Sequence, residues 1–240
     1  DEVVALGRQS GYPAPDLRPD VVYHLAASGM SASPIEALDM VRRAIDIRPR
    51  RLIVVGSSKQ YGAMPVGVAV SEVHPREPRG PYAEGKVLAE NYAFSIARER
   101  GIEVVAARPF DHWAPWVPSR FAVSDWVRQA VAQVENLTIR VGNVEGIVRD
   151  ILPAIDVCCA YRILATRGVP GEAYNVCSGG ETRLDSVLTM VRNVWNYAGF
   201  KATGLQAISK IVVDATLDRP VVNLYERGDN TKLRELGWTP

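Results

Sequence analysis

At 240 residues the chain is long enough for one large domain or two modest ones, with ample length for a real core. Its 28 basic and 27 acidic residues leave a formal net charge of +1 with no basic run, which argues against nucleic acid or an acidic membrane as the main partner. No apolar stretch reaches the roughly 18 residues of a membrane span, and no signal peptide is visible. Strands and helices then alternate. Glu2 to Leu6 is a short apolar run, and Asp20 to Ala27 is a buried strand running into small residues. Ile35 to Ile47 has helical periodicity, Leu52 to Val55 is a third strand, Tyr82 to Arg100 a long helix and Ile102 to Ala107 a fourth strand. Near-continuous apolar strands separated by helices predict a parallel sheet covered on both faces.

After Phe110 the pattern loosens around Pro115 and Pro118. Helices are predicted over Phe121 to Val134, Ile155 to Arg167 and Thr182 to Ala198, and short strands over Thr138 to Gly142 and Glu172 to Cys177. The fold expected is α/β, a Rossmann-like doubly wound parallel sheet with a smaller α/β substrate domain. Residues 1–110 with 151–178 form the first unit, and 111–150 with 179–240 the second. Cys158, Cys159 and Cys177 read as reduced, buried thiols of a cytoplasmic protein. His24, His74 and His112 have no Cys or His partner at ligand spacing, so no metal site is expected.

One constellation carries chemistry. Arg51 to Ser58 is an apolar strand ending in two serines, and Tyr82 and Lys86 follow it four residues apart. Residues at i and i+4 share a helix face. A lysine ammonium beside a phenol favours the ionised phenol and lowers its pKa from about 10. Tyr82 can then exchange a proton with a carbonyl or alcohol oxygen, while the Ser57 hydroxyl bonds the same oxygen. Tyr197 and Lys201 repeat the spacing but carry Gly199 between them and follow no such strand, so that copy reads as a helix end leading into a loop.

These residues come in a recognisable order. His24-Leu25-Ala26-Ala27, Gly56 to Gly62, Tyr82 with Lys86, Arg108-Pro109-Phe110-Asp111-His112, Arg149-Asp150, Gly171 to Val176 and the Leu236-Gly237-Trp238 tail together resemble the extended short-chain dehydrogenase/reductase family. Within it the chain is most similar to the reductases of GDP-4-keto-6-deoxy-mannose, through Leu137 to Asn143, Gly168 to Ser178, and Arg219-Pro220 followed by Gly228 to Leu233.

The resemblance implies NADPH (or NADH) across the sheet and a nucleotide-diphosphate sugar in the second domain. Ser57 would polarise the keto oxygen, Tyr82 deliver the proton, and Lys86 hold the nicotinamide ribose and tune Tyr82. Arg8, Ala26, Ala27 and Pro109 would complete the cofactor site. A cation at Arg8 would suit the 2′-phosphate of NADPH, a solvated loop arginine being the alternative. Ser58, Asp111, His112, Arg140, Arg149 and Arg219 would face the sugar nucleotide, the arginines serving its phosphates. Dehydratases of the family carry an acidic residue just after the catalytic hydroxyl. Here Ser58 and Lys59 follow Ser57, which leaves reduction or epimerisation. Asp111 stands where Asn is usual, a charge unfavourable beside a pyrophosphate. The family's glycine-rich phosphate loop has no counterpart in this sequence. Either the protein has further segments, or it is a degenerate member kept as a binding or scaffold protein. The resemblance also implies a homodimer packed through the Tyr82 to Arg100 helix as a four-helix bundle. Ala89, Ala93, Ile96 and Ala97 lie on one face of that helix, and burial within the monomer explains the stripe equally well.

Overall fold

The computed structural model describes residues 19–25, 33–115, 121–133, 136–204, 208–218 and 223–240. The run Glu2 to Leu6, Arg8, Ala26, Ala27 and Arg219 lie outside them. In chain order the elements are β1 (Val21–His24), α1 (Pro34–Asp46), β2 (Arg51–Val55), a 3₁₀ turn (Ser58–Tyr61), α2 (Pro81–Arg100), β3 (Glu103–Pro109) and β4 (Asp111–Trp113). There follow α3 (Ala122–Val131), β5 (Leu137–Val141), β6 (Val148–Arg149), β7 (Ile151–Pro153), α4 (Ala154–Arg167) and β8 (Ala173–Val176). The last are β9 (Thr182–Arg183), α5 (Leu184–Thr203), β10 (Ser209–Val213) and α6 (Thr231–Arg234).

Strands β1, β2, β3 and β8 form one parallel sheet in that order. Alternation along its strands separates two cores. Leu52, Val54 and Val104 pack with Val41, Ala44 and Ile45 of α1 and with Ala89 and Ala93 of α2. Ile53, Val105 and Ala107 point the other way, onto Val157, Ala160 and Leu164 of α4 and Leu233 and Trp238 of the tail. Successive side chains of a strand face opposite sides, so apolar continuity in β2 and β3 feeds helices on both faces. The chain has the expected α/β fold. The alanine stripe on α2 is used inside the monomer: Ala89 and Ala93 are buried there, with Ile96 and Ala97 packed against them.

A third core joins Val123, Trp126 and Ala130 of α3, Leu137, Ile139 and Val141 of β5, and Leu184 and Leu188 of α5. β10, for which the sequence offered no signal, pairs in parallel with β5. The tail was expected with this smaller unit, yet Leu233 and Trp238 pack on the main sheet. Two further readings are corrected. Helix α5 runs through Gly199 to Thr203 and stops at Gly204, which adopts φ 70°. An interior glycine costs only about 1 kcal/mol against alanine, whereas positive φ ends the helix. Cys177 is buried, but Cys158 and Cys159 are exposed on α4.

Candidate active site

A parallel sheet puts the carboxyl ends of all its strands on one edge. β2 runs out through Gly56 into Ser57 and Ser58, β3 ends at Pro109 and leads to Asp111 and His112, and β8 ends at Val176. Ligands of such sheets bind beyond that edge. Ser57 is extended, with φ −167°, and caps the 3₁₀ turn, its Oγ accepting the Lys59 N–H at 3.2 Å. That bond occupies a lone pair. The hydroxyl proton has no acceptor among the described residues and is available to a bound oxygen. The turn closes at Gly62, where φ is 69° and a Cβ would run into Glu77 O.

Three consecutive side chains fasten the turn to three parts of the molecule. Lys59 Nζ donates to both Glu226 oxygens, at 2.7 and 2.6 Å. Gln60 Nε2 donates to Glu90 Oε2 of α2 at 3.1 Å. Tyr61 Oη donates to Asn175 Oδ1 at 2.7 Å and accepts from Arg108 Nη1 at 2.9 Å. Burial pushes the Tyr61 phenol up to about 12, so it stays protonated. Glu90 also takes Arg108 Nη2 at 2.6 Å and Arg76 Nη1 at 3.0 Å. Burial works against the Arg108 charge, and Glu90 and Tyr61 more than offset it, so its pKa is raised.

Tyr82 and Lys86 stand on the first two turns of α2, which starts with Pro81 at its N-terminus. Lys86 is buried and donates from Nζ to Val55 O, the last carbonyl of β2, at 2.8 Å. Its ammonium lies 5.9 Å from the Tyr82 ring centroid. Burial pulls the Lys86 pKa down to about 8. Burial, with the Lys86 charge beside it, holds His24 at the end of β1 down to about 4, neutral at pH 7. The carboxyl ends of β1 and β2 and the start of α2 therefore share one cationic centre, Lys86.

Among the substrate-facing candidates, the structure brings Asp111 and Arg149 together. Asp111 Oδ1 is 3.6 Å from Lys59 Nζ, and Asp111 Oδ2 is 3.5 Å from Arg149 Nε. Arg149 is largely committed to protein: Nη1 donates to Val148 O at 2.8 Å and Nη2 to Asn223 O at 2.9 Å. Ser58 is buried at the start of the turn, and Pro109 is buried in β3 opposite Val176. His112 is exposed, its ring Nδ1 3.0 Å from Phe110 O. Arg140 is not brought to this group; it is exposed on β5 and pairs with Asp214. Glu226, Glu90 and the partnership of Lys59 were missed from sequence, because their partners lie 167, 30 and 18 residues away.

Ser57 follows the end of β2, and Lys86, buried on Val55 O with Tyr82 beside it, lies at the same carboxyl edge, residues of a kind that would hold the nicotinamide half of a dinucleotide. Residues 15–240 match the family described as GDP-mannose 4,6 dehydratase. GDP-6-deoxy-D-mannose reductase from Pseudomonas aeruginosa is 29% identical over 195 residues, covering 78% of this chain and 60% of that protein. The dTDP-D-glucose 4,6-dehydratase of Bos taurus is 25% identical over 239 residues, covering 92% of this chain and 63% of that protein. The chain thus spans about 60% of the length of these curated relatives. Among solved structures, RMD from Pseudomonas aeruginosa complexed with NADPH superposes with a TM-score of 0.77 at 25% identity, over 94% of this chain and 77% of that one.

Proposed function

The chain belongs to the extended short-chain dehydrogenase/reductase family, in its GDP-mannose 4,6 dehydratase group, and on that premise we propose that it reduces the 4-keto group of a nucleoside-diphosphate 4-keto-6-deoxy sugar, the GDP-linked form favoured. The observation that carries this reading is the buried Lys86, fixed on Val55 O beside Tyr82 at the strand end that carries Ser57. NADPH, or NADH, supplies the hydride when bound. Ser57 gives its hydrogen bond to the keto oxygen. Tyr82 passes its proton to that oxygen as the carbon is reduced, and solvent restores it. Lys86⁺ stabilises the phenolate left behind.

Reduction is favoured over elimination of water by what surrounds Glu226. That carboxylate returns to the turn after Ser57 from the tail, but Lys59 covers both its oxygens. A buried carboxylate held in an ion pair through both oxygens is poorly placed to act as the base that elimination needs. The domain division also remains part of the proposal, with the sheet unit holding the dinucleotide and the α3, β5, β10 and α5 unit the sugar nucleotide. A homodimer through α1 and α2 and a cytoplasmic location complete it. Ile35 and Leu88, exposed on those helices, support the contact.

The test is stoichiometric. With a GDP-4-keto-6-deoxyhexose and NADPH, one NADPH is consumed per sugar reduced, followed by absorbance loss at the nicotinamide band and by product mass. Epimerisation returns its hydride and consumes none, so product with unchanged NADPH would overturn the reductase reading.

A further inference from the structure

Four charged side chains from four separate segments meet beside Ser57. Lys59 comes from the 3₁₀ turn, Asp111 from β4, Arg149 from β6 and Glu226 from the tail. Glu226 lies deepest, 3% exposed, and Asp111 outermost, 42% exposed. The ion pair between Lys59 and Glu226 is tight, at 2.6 Å. The approach of Lys59 to Asp111 is not: 3.6 Å is too long for a hydrogen bond. The same holds on the other side, where Asp111 Oδ2 and Arg149 Nε stand 3.5 Å apart. No described residue donates a hydrogen bond to either Asp111 oxygen.

A lysine ammonium has three N–H donors, and Glu226 takes two. One donor and one carboxylate oxygen therefore stand side by side, each short of a partner. Burial works against the Lys59 charge, and Asp111 and Glu226 more than compensate, so Lys59 stays charged at neutral pH. A single oxygen placed roughly 2.8 Å from each would satisfy both. Only a hydroxyl, or water, can accept from Lys59 and donate to Asp111 at once. A phosphate or carboxylate oxygen could satisfy Lys59 but has no proton to give and would be repelled by Asp111.

We propose that Lys59 and Asp111 form a hydroxyl-binding subsite beside Ser57, which reads a ring hydroxyl next to the reacting carbonyl. The inference rests on the functional reading above for the identity of that carbonyl. Lys59 and Asp111 are specificity-determining residues. Glu226 and Arg149 are positioning residues that hold the two charges in place. The subsite suits a neutral, hydroxylated hexose and rejects a uronate whose carboxylate reaches it. It also accounts for an aspartate where a nearby pyrophosphate would forbid one: the carboxylate serves the sugar, and Lys59 and Arg149 neutralise it.

The experiment is a calorimetric titration of GDP, UDP and dTDP, and of the three corresponding hexose conjugates, on the full chain. In the parent protein at least one conjugate binds about tenfold more tightly than its nucleoside diphosphate. D111A and K59M are expected to lose that gain while binding the diphosphate itself within twofold of the parent. E226Q shares the loss. The double variant K59M/E226L removes both charges of the buried pair and so avoids the uncompensated buried charge that a single removal leaves. It should unfold like the parent and still gain nothing from the hexose. If D111A and K59M keep the hexose gain, or the parent shows none with any of the three bases, the subsite does not exist. Turnover is read on the same samples. A parent protein that gains from the hexose and loses the gain in D111A, yet never consumes NADPH, keeps the subsite and overturns the reductase reading.

Discussion

Two Tyr-x-x-x-Lys segments occur in this chain, and both place the lysine Nζ 5.9 Å from the tyrosine ring centroid. Helical spacing alone sets that distance. Everything else differs. Lys86 is buried, bonds the last carbonyl of β2 and stands at the carboxyl edge of a parallel sheet. Tyr197, 64% exposed, and Lys201 lie on the outer face of α5, beside Met190 and Val194. Two unit charges about 4 Å apart interact by roughly 1 kcal/mol in water and roughly 4 kcal/mol at an effective dielectric of 20. The same motif is therefore buried at the sheet's edge in one place and solvated on a helix face in the other, and the catalytic role proposed above belongs to the buried copy.

The most direct way to break this comparison is to delete each hydroxyl. Y82F is expected to lower kcat by roughly 10³-fold, the scale of a lost general acid, with an unchanged unfolding transition. Y197F should leave kcat within twofold. Equal losses in the two variants, or a Y82F enzyme that turns over at the parent rate, would remove the catalytic assignment.

The contrast between the two copies also shows what a sequence can carry. The strand end at Ser57 and the one-turn spacing of Tyr82 and Lys86 were legible because each is a local pattern by itself. β2 and β3 were legible because strands buried on both faces are rich in Val, Ile, Leu and Ala, whereas β1, read from the sequence as a buried strand, is only partly buried, with Tyr23 40% exposed. The 3₁₀ turn's fastenings were not legible, since nothing near Lys59 or Gln60 announces that Glu226 or Glu90 will meet them. Arg140 and Arg149 look alike in sequence, yet Arg140 points out to Asp214 and Arg149 points in to Asp111. β4, β6, β7 and β9, of two or three residues each, are too short for any periodicity to register.

Glu90 sharpens the comparison at the next scale. It continues the series Tyr82, Lys86, Glu90 down α2, and it ties that helix to the serine turn through Gln60 and to β3 through Arg108. E90Q leaves two guanidiniums, Arg108 and Arg76, facing a neutral amide in a buried site. Removing one partner of a buried ion pair costs about 3 kcal/mol or more, and urea denaturation should register a loss of that size. K201A on α5 should stay within about 0.5 kcal/mol of the parent, as exposed substitutions do. An E90Q protein as stable as the parent would mean that the turn is held without the carboxylate.

The smallest effect separates the copies by pH. Lys86 loses its proton near pH 8 in the folded protein, because burial disfavours the ammonium, but only near 10.5 in the unfolded chain. Above pH 8 the Tyr82 phenolate loses its cation, and kcat/KM is expected to fall by about tenfold per pH unit. Stability moves the other way. Between about 8 and 10.5 the unfolded chain binds more protons than the folded one, so this group's contribution to stability rises with pH, by roughly 3 kcal/mol across the window. An enzyme that merely unfolds in alkali would lose activity and stability together. The diagnostic is the difference between parent and K86M in urea denaturation at pH 7 and at pH 10, with the activity profile measured alongside. A stability difference that does not change with pH would show that Lys86 is not titrating where the activity is lost. The alkaline limb would then belong to another group.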